Sequence, residues 1–374
     1  MPNATPNIGG YVSIPKPALQ HIFDSLRELG HTLIGPTLGE SAIELGHIER
    51  LADLPIGWTQ EQEAGSYRLR PRQDQAYFGY GVGPHSWKAY LYPAQLKLFS
   101  VERHNGSFVA HPNDDVIPTY AFIGVRPCDL HAIAIQDRIF LQGPYQEPHY
   151  KARRQRAFIL VVNCTEPGST CFCASLHTGP RADSGFDLAL TELPDIFVIE
   201  VGSELGRQVM TGAEWRPTGA FELQNVRRAL TEAEHQMGRE LDTSDLPNLL
   251  YQNLEHPLWD RVAQRCLSCA NCTQVCPTCF CSDVVDISDL HAQHTERVRV
   301  WDSCFNLDFS HVHGGNIRPA IRSRYRQWLT HKLGSWVDQF GVLGCVGCGR
   351  CISWCPAGID LTAEINHLRE GGAR

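Results

Sequence analysis

Two copies of one cysteine run occupy the last third of the chain. The first is Cys266-Leu-Ser-Cys269-Ala-Asn-Cys272-Thr-Gln-Val-Cys276-Pro277, and the second is Cys345-Val-Gly-Cys348-Gly-Arg-Cys351-Ile-Ser-Trp-Cys355-Pro356. Both read C-x2-C-x2-C-x3-C-P, the spacing that binds [4Fe–4S] clusters in two-cluster ferredoxins. Three closely spaced thiolates reach three corners of one cubane. The fourth, set apart by a longer spacer and a rigid proline, serves the other cluster. The pattern therefore predicts one cluster on Cys266, Cys269, Cys272 and Cys355, and a second on Cys345, Cys348, Cys351 and Cys276. Crossed ligation clamps the two runs together and holds the clusters near each other, as electron transfer requires.

Other readings of these runs are weaker. Four cysteines satisfy a tetrahedral zinc site, but here each run supplies four of its own and ends in proline. Disulfides are disfavoured by an odd total of 15 cysteines. They are also disfavoured by an N-terminus that lacks a basic region followed by an apolar one, so reduced thiols in the cytoplasm are expected. Cys272-x3-Cys276-x2-Cys279 matches a radical-SAM spacing only by overlap, and it leaves Cys266, Cys269 and the second run unexplained.

The chain has 374 residues, enough for two or three domains. No apolar run reaches the roughly 18 residues of a membrane span. A net charge of −8 argues against a nucleic-acid partner. Leu19, Ile22, Phe23, Leu26 and Leu29 recur at helical spacing before Gly30, a good helix stop. Continuous apolar runs at 120–125, 158–162 and 196–201 suit buried strands, with a parallel sheet as one arrangement. Asp129 is placed to cap a helix carrying Ile133, Ile135 and Ile139. The expected fold is α+β and multidomain: an N-terminal α/β domain over 1–202, a helical connecting region over 203–252, and a C-terminal helical-ferredoxin dicluster domain over 253–374. The 68 residues between Cys276 and Cys345 exceed a short ferredoxin turn, and 318–332 reads as helix.

Cys128, Cys164, Cys171 and Cys173 fall in the N-terminal region, two of them just after apolar strands. Open α/β sheets bind ligands at the carboxyl ends of their strands. Four thiols there can hold a third cluster, with zinc as the main competitor and buried apolar cysteine as the plain alternative. Cys279, Cys281 and Cys304 remain unassigned, as spare ligands, redox thiols or packed apolar groups. His291 with His294, and His311 with His313, lack a ligand spacing and read as surface histidines. Arg318, Arg322 and Arg326 form a stripe that is either solvated or a docking surface. Arg126 and Arg350 stand near proposed ligands and can raise local potentials. Gly79-Tyr-Gly81-Val-Gly83 lacks the full dinucleotide fingerprint, so flavin and nicotinamide are expected on a partner.

Several phrases carry a family resemblance: GVRPCDL at Gly124–Leu130, CFCASLHTGP at Cys171–Pro180, GFDLALTEL at Gly185–Leu193, CLSCANCTQVCPTCFCSDV at Cys266–Val284 and GCVGCGRCISWCP at Gly344–Pro356. They resemble the β (iron–sulfur) subunit of soluble sulfhydrogenases, cytoplasmic nickel–iron hydrogenases, and the related A subunit of anaerobic sulfite reductase. VGPHSWKAYLYP at Val82–Pro93 is more similar to the hydrogenase branch. The resemblance implies a non-catalytic electron-transfer subunit between a flavin- and NAD(P)-binding partner and a catalytic one. It also supports a cluster at Cys128, Cys164, Cys171 and Cys173. A cluster-containing reductase of disulfides or sulfur compounds is the alternative, with the Cys-Phe-Cys pairs as exchange thiols.

Overall fold

The computed structural model describes residues 5–371. Its main sheet has eight strands: β1 (Tyr11–Pro15), β2 (Thr32–Leu38), β3 (Ile43–His47), β4 (Tyr120–Val125), β5 (Phe158–Val162), β6 (Leu188–Glu192), β7 (Ile196–Val201) and β8 (Arg216–Pro217). Their spatial order is β8-β1-β7-β6-β5-β4-β2-β3. The neighbours β6, β5, β4 and β2 run parallel. β7 is antiparallel to both β1 and β6, so only two of the three apolar runs expected as strands lie in the parallel part.

Side-chain alternation explains why β4 and β5 lack polar residues. Ala121, Ile123, Phe158, Leu160 and Val162 face a core shared with Leu19, Ile22, Phe23 and Leu26 of the helix Leu19–Glu28. Phe122, Val125, Ile159 and Val161 face the opposite core with Trp87, Leu91, Phe140 and Tyr150. Both faces are covered, so every position must be apolar. Fully burying one such side chain stabilises the fold by about 1.5–3 kcal/mol. Leu29 is exposed, because the first helix ends one residue earlier.

A second core gathers Leu246, Leu250, Trp259, Tyr325, Trp328, Leu329 and Ile365 around the cysteine runs. They come from the helices Leu246–Gln252, Leu258–Arg265, Ile321–Thr330 and Leu361–Gly371. The helical middle of the chain is divided between the two cores. Val226 and Leu230 of the helix Ala220–His235 pack on Val198 of β7, whereas Leu246 and Leu250 join the cysteine runs.

The insertion between the runs is not purely helical. Its hairpin Ser282–Ser288 and His294–Trp301 pairs with the hairpin Gln95–His104 and Ser107–Pro112, making one four-stranded sheet from distant parts of the chain. Among the described residues no helix is long and apolar enough to cross a membrane.

Candidate metal centres

Each thiol set is delivered by a specific local structure. In β4, Gly124 has a φ of +89° and the pairing register shifts between Ile123 and Val125. This bulge turns the strand end into Arg126, Pro127 and Cys128. Cys128 then lies in the first turn of the helix Pro127–Leu141. Arg126 occupies the N-cap position there, not Asp129. Asp129 sits in the first turn, and its carboxylate is engaged elsewhere. Cys164 follows β5, and Cys171 and Cys173 lie in the loop beyond it.

The structure brings Cys128, Cys164, Cys171 and Cys173 together. Cys173 neighbours Cys171 and Cys164, Cys171 neighbours Cys164, and Cys128 neighbours Cys173. Cys348 is close enough to act on Cys128, Cys171 and Cys173. In the C-terminal region, Cys272 neighbours Cys266, Cys269 and Cys355. Cys351 neighbours Cys345, Cys348 and Cys276. The fourth cysteine of each run thus lies with the first three of the other.

The two runs share one backbone form. Ser268 N–H points at Cys266 Sγ at 3.4 Å, and Gly347 N–H points at Cys345 Sγ at 3.5 Å. Left-handed positions fall at Ser268 and Ala270 in the first run and at Gly347 and Gly349 in the second. Side chains are tolerated in the first run, so φ alone does not require glycine. Space does. A Cβ on Gly347 would stand 2.6 Å from the Cys173 backbone, and one on Gly349 would stand 2.4 Å from the Thr170 carbonyl oxygen. These glycines let the second run lie directly on the N-terminal thiols.

The donor chemistry fits [4Fe–4S] groups. Burial pushes the Cys171 and Cys345 thiols up to about 12. Such crowded sulfurs become thiolates when a metal replaces their protons. Among the described residues no group of three or more His, Cys, Asp or Glu side chains is gathered tightly enough for a single ion. A cavity bounded by Cys266, Cys269, Cys272 and Cys355 has apolar walls from Phe305, Tyr325 and Trp328.

Cations surround these sites. Arg126 donates to the carbonyls of Phe78 at 2.8 Å and Tyr80 at 2.6 Å, and its charge acts on Cys164. Arg350 donates to both Asp129 oxygens at 2.8 Å and to the Gly83 carbonyl at 2.9 Å. The glycine-rich loop is therefore packing against the second run. Sequence reasoning missed Lys332, which is buried and donates to Cys276 Sγ at 3.2 Å and the Gly344 carbonyl at 2.8 Å. It also missed Lys88, buried with its ammonium on the Cys279 carbonyl and over the Trp301 ring, and Met237, whose sulfur lies 3.8 Å from Cys173 Sγ. Its flanking residues, His331 and Leu333, do not single out Lys332.

The arginine stripe divides. Arg322 and Arg326 pair with Glu255, and Arg322 also with Asp260. Arg318 donates to Ser310 Oγ. His291 and His313 are exposed, and His294 lies near Glu102 and Glu296.

Lys332→Met should lower the potential of a cluster held by Cys276. Removing one charge a few ångströms away costs the reduced state about 2–3 kcal/mol at an effective dielectric near 20, or roughly 100 mV. A redox titration followed by electron paramagnetic resonance measures the shift. An unchanged potential would show that Lys332 serves packing only.

Thiols in these sets, on two runs of one local backbone form, define an iron–sulfur protein with a dicluster domain. Residues 265–359 match the family model for a 4Fe-4S dicluster domain. The chain is 30% identical over 369 residues to sulfhydrogenase 2 subunit beta of Pyrococcus furiosus, a match covering 96% of this chain and 99% of that one. The chain belongs to the family of sulfhydrogenase β subunits, the iron–sulfur subunits, and is an electron-transfer protein that carries [4Fe–4S] clusters. No solved structure matches it.

Proposed function

We propose that this chain holds three [4Fe–4S] clusters in a row and relays electrons between two partner subunits in the cytoplasm. One cluster is assigned to Cys128, Cys164, Cys171 and Cys173. The next is assigned to Cys345, Cys348, Cys351 and Cys276, and the last to Cys266, Cys269, Cys272 and Cys355. The observation that carries this reading is the position of the second run between the other two sets. Cys348 acts on Cys128 and Cys173, and Cys351 lines the same cavity as Cys266 and Cys272. Such clusters exchange single electrons, with potentials set by hydrogen bonds and nearby charge.

The protein's own groups perform the tuning. The N–H donors at Ser268 and Gly347 and the cations Arg126 and Lys332 favour the reduced, more negative state, whereas the charge of Arg350 is offset by Asp129. Exposed Cys269 and Leu267 give the outermost set a route to a partner surface. By family resemblance, the partners are a flavin- and NAD(P)-binding subunit and a nickel–iron hydrogenase subunit. Likeness to a sulfhydrogenase subunit supports that complex over a sulfite reductase.

Anaerobically purified protein should contain about 12 iron atoms, as three four-iron clusters require. It should accept electrons from a strong reductant and show no hydrogen, sulfite or nicotinamide turnover alone. About 8 iron atoms in fully loaded protein would remove the third cluster, and robust turnover by the single chain would refute the relay.

A further inference from the structure

Cys279, Cys281 and Cys304 have no place in the three proposed cluster sites, yet they share one cavity. It has a volume of about 360 Å³ and is walled by these thiols with Arg318, Trp328, His331, Lys332 and Trp336. That is the size of a small-molecule site. None of the twelve assigned ligands lines it, so it is separate from the cluster cavities.

The hairpin fixes the thiols. Ser282 pairs with Trp301, and Asp302 N–H donates to the Cys281 carbonyl at 2.9 Å, so Cys281 and Cys304 leave adjacent strand ends. Both thiols line the same cavity wall as neighbours. Cys281 is partly exposed, whereas Cys304 is buried behind it. Cys279 contacts Cys276, and Cys304 neighbours Cys272. The cavity thus lies beside a proposed ligand of each of two clusters. Arg318 faces this space from the unpaired end of the arginine stripe. Among the described residues no carboxylate pairs with it.

We propose that Cys281 and Cys304 are an exchange-active dithiol that reduces small disulfides bearing anionic groups. This rests on the relay reading for its electrons. Cys281, the accessible thiol, attacks as the thiolate. Its sulfur bonds to one sulfur of the disulfide, the disulfide bond breaks, and one thiolate leaves. Cys304 then loses its proton and attacks the Cys281 sulfur, expelling the second thiolate and closing a Cys281–Cys304 disulfide. The two released thiolates take up two protons. Reduced [4Fe–4S] groups, each a one-electron donor, supply two electrons, and two further protons restore both thiols. The protons released from Cys281 and Cys304 cancel two of those consumed. The net change is one disulfide plus two electrons and two protons giving two thiols. Arg318 supplies positive charge for the substrate's anionic groups.

The test uses the cluster-loaded full chain, titanium(III) citrate as reductant and 5,5′-dithiobis(2-nitrobenzoate) as an anionic disulfide probe. Thiol release should be catalytic, and Cys281→Ser should lower it at least tenfold with iron content unchanged. Cys304→Ser should trap the nitrobenzoate thiol covalently on Cys281, located by peptide mass spectrometry. Arg318→Gln should raise KM for this probe and leave that for uncharged hydroxyethyl disulfide unchanged, which guards against a folding defect in the cysteine variants. Equal rates in wild type and Cys281→Ser, or no adduct on Cys281, would overturn the proposal. So would about 16 iron atoms with these three thiols as ligands of a fourth cluster. Bleached clusters without thiol release would sink the dithiol alone, whereas clusters that never bleach would sink the relay reading.

Discussion

Cys276→Ser should remove the cluster of the second run and spare that of the first, while Cys272→Ser should do the reverse. The two residues are four positions apart on one run, so a simple one-run-one-cluster scheme predicts the same loss from both. Their surroundings differ. Cys272 lies with Cys266, Cys269 and Cys355, whereas Cys276 lies with Cys345, Cys348 and Cys351 and receives the Lys332 ammonium. A serine oxygen is a poor replacement for a thiolate at iron. Each variant should therefore lose about 4 of about 12 iron atoms. Electron paramagnetic resonance with iron analysis distinguishes the clusters. Selective loss of one and the same cluster in both variants would disprove crossed ligation.

The second large effect is expected at the junction of the two cores. Arg350 and Asp129 form a two-pronged ion pair at 2.8 Å, each side chain 3% exposed. Asp129 follows Cys128, and Arg350 precedes Cys351, so the pair ties the N-terminal thiols to the second run. Arg350→Met leaves a buried carboxylate without its partner, a loss of about 3–5 kcal/mol. Urea unfolding of the cluster-loaded protein should register it. Asp129→Leu combined with Arg350→Met should recover most of the loss, because the penalty comes from the orphaned charge. A single-variant cost below about 1 kcal/mol would mean that the junction is held by other contacts.

The sequence was most legible where a single chemical need dictated the pattern. The runs at 120–125, 158–162 and 196–201 are strands over those same residues; the first two are covered on both faces and are almost wholly apolar, whereas the third carries half-buried Glu200, which accepts from Tyr11. Strand direction was not legible: β7 is antiparallel, and nothing in Ile-Phe-Val-Ile-Glu-Val says so. The hairpin at Ser282–Ser288 and His294–Trp301 was missed because its exposed face carries charge and its pairing partner lies nearly two hundred residues away. At the candidate site, the cysteines announced themselves by spacing. Lys332 and Lys88 did not, because a lysine is ordinarily read as surface and only tertiary neighbours reveal a buried ammonium. Arg322 and Arg326 were ambiguous for the same reason, their partner Glu255 being remote in sequence.

The central claim is that electrons pass through the second run on their way between partners. The most direct measurement is partner-to-partner electron transfer in the reconstituted complex carrying Cys348→Ser, with loss of that cluster verified spectroscopically. Reduction of a nicotinamide by hydrogen should stop, while hydrogen-dependent reduction of an artificial dye at the catalytic subunit continues. Undiminished transfer between partners with the second cluster absent would place it off the path and contradict the relay.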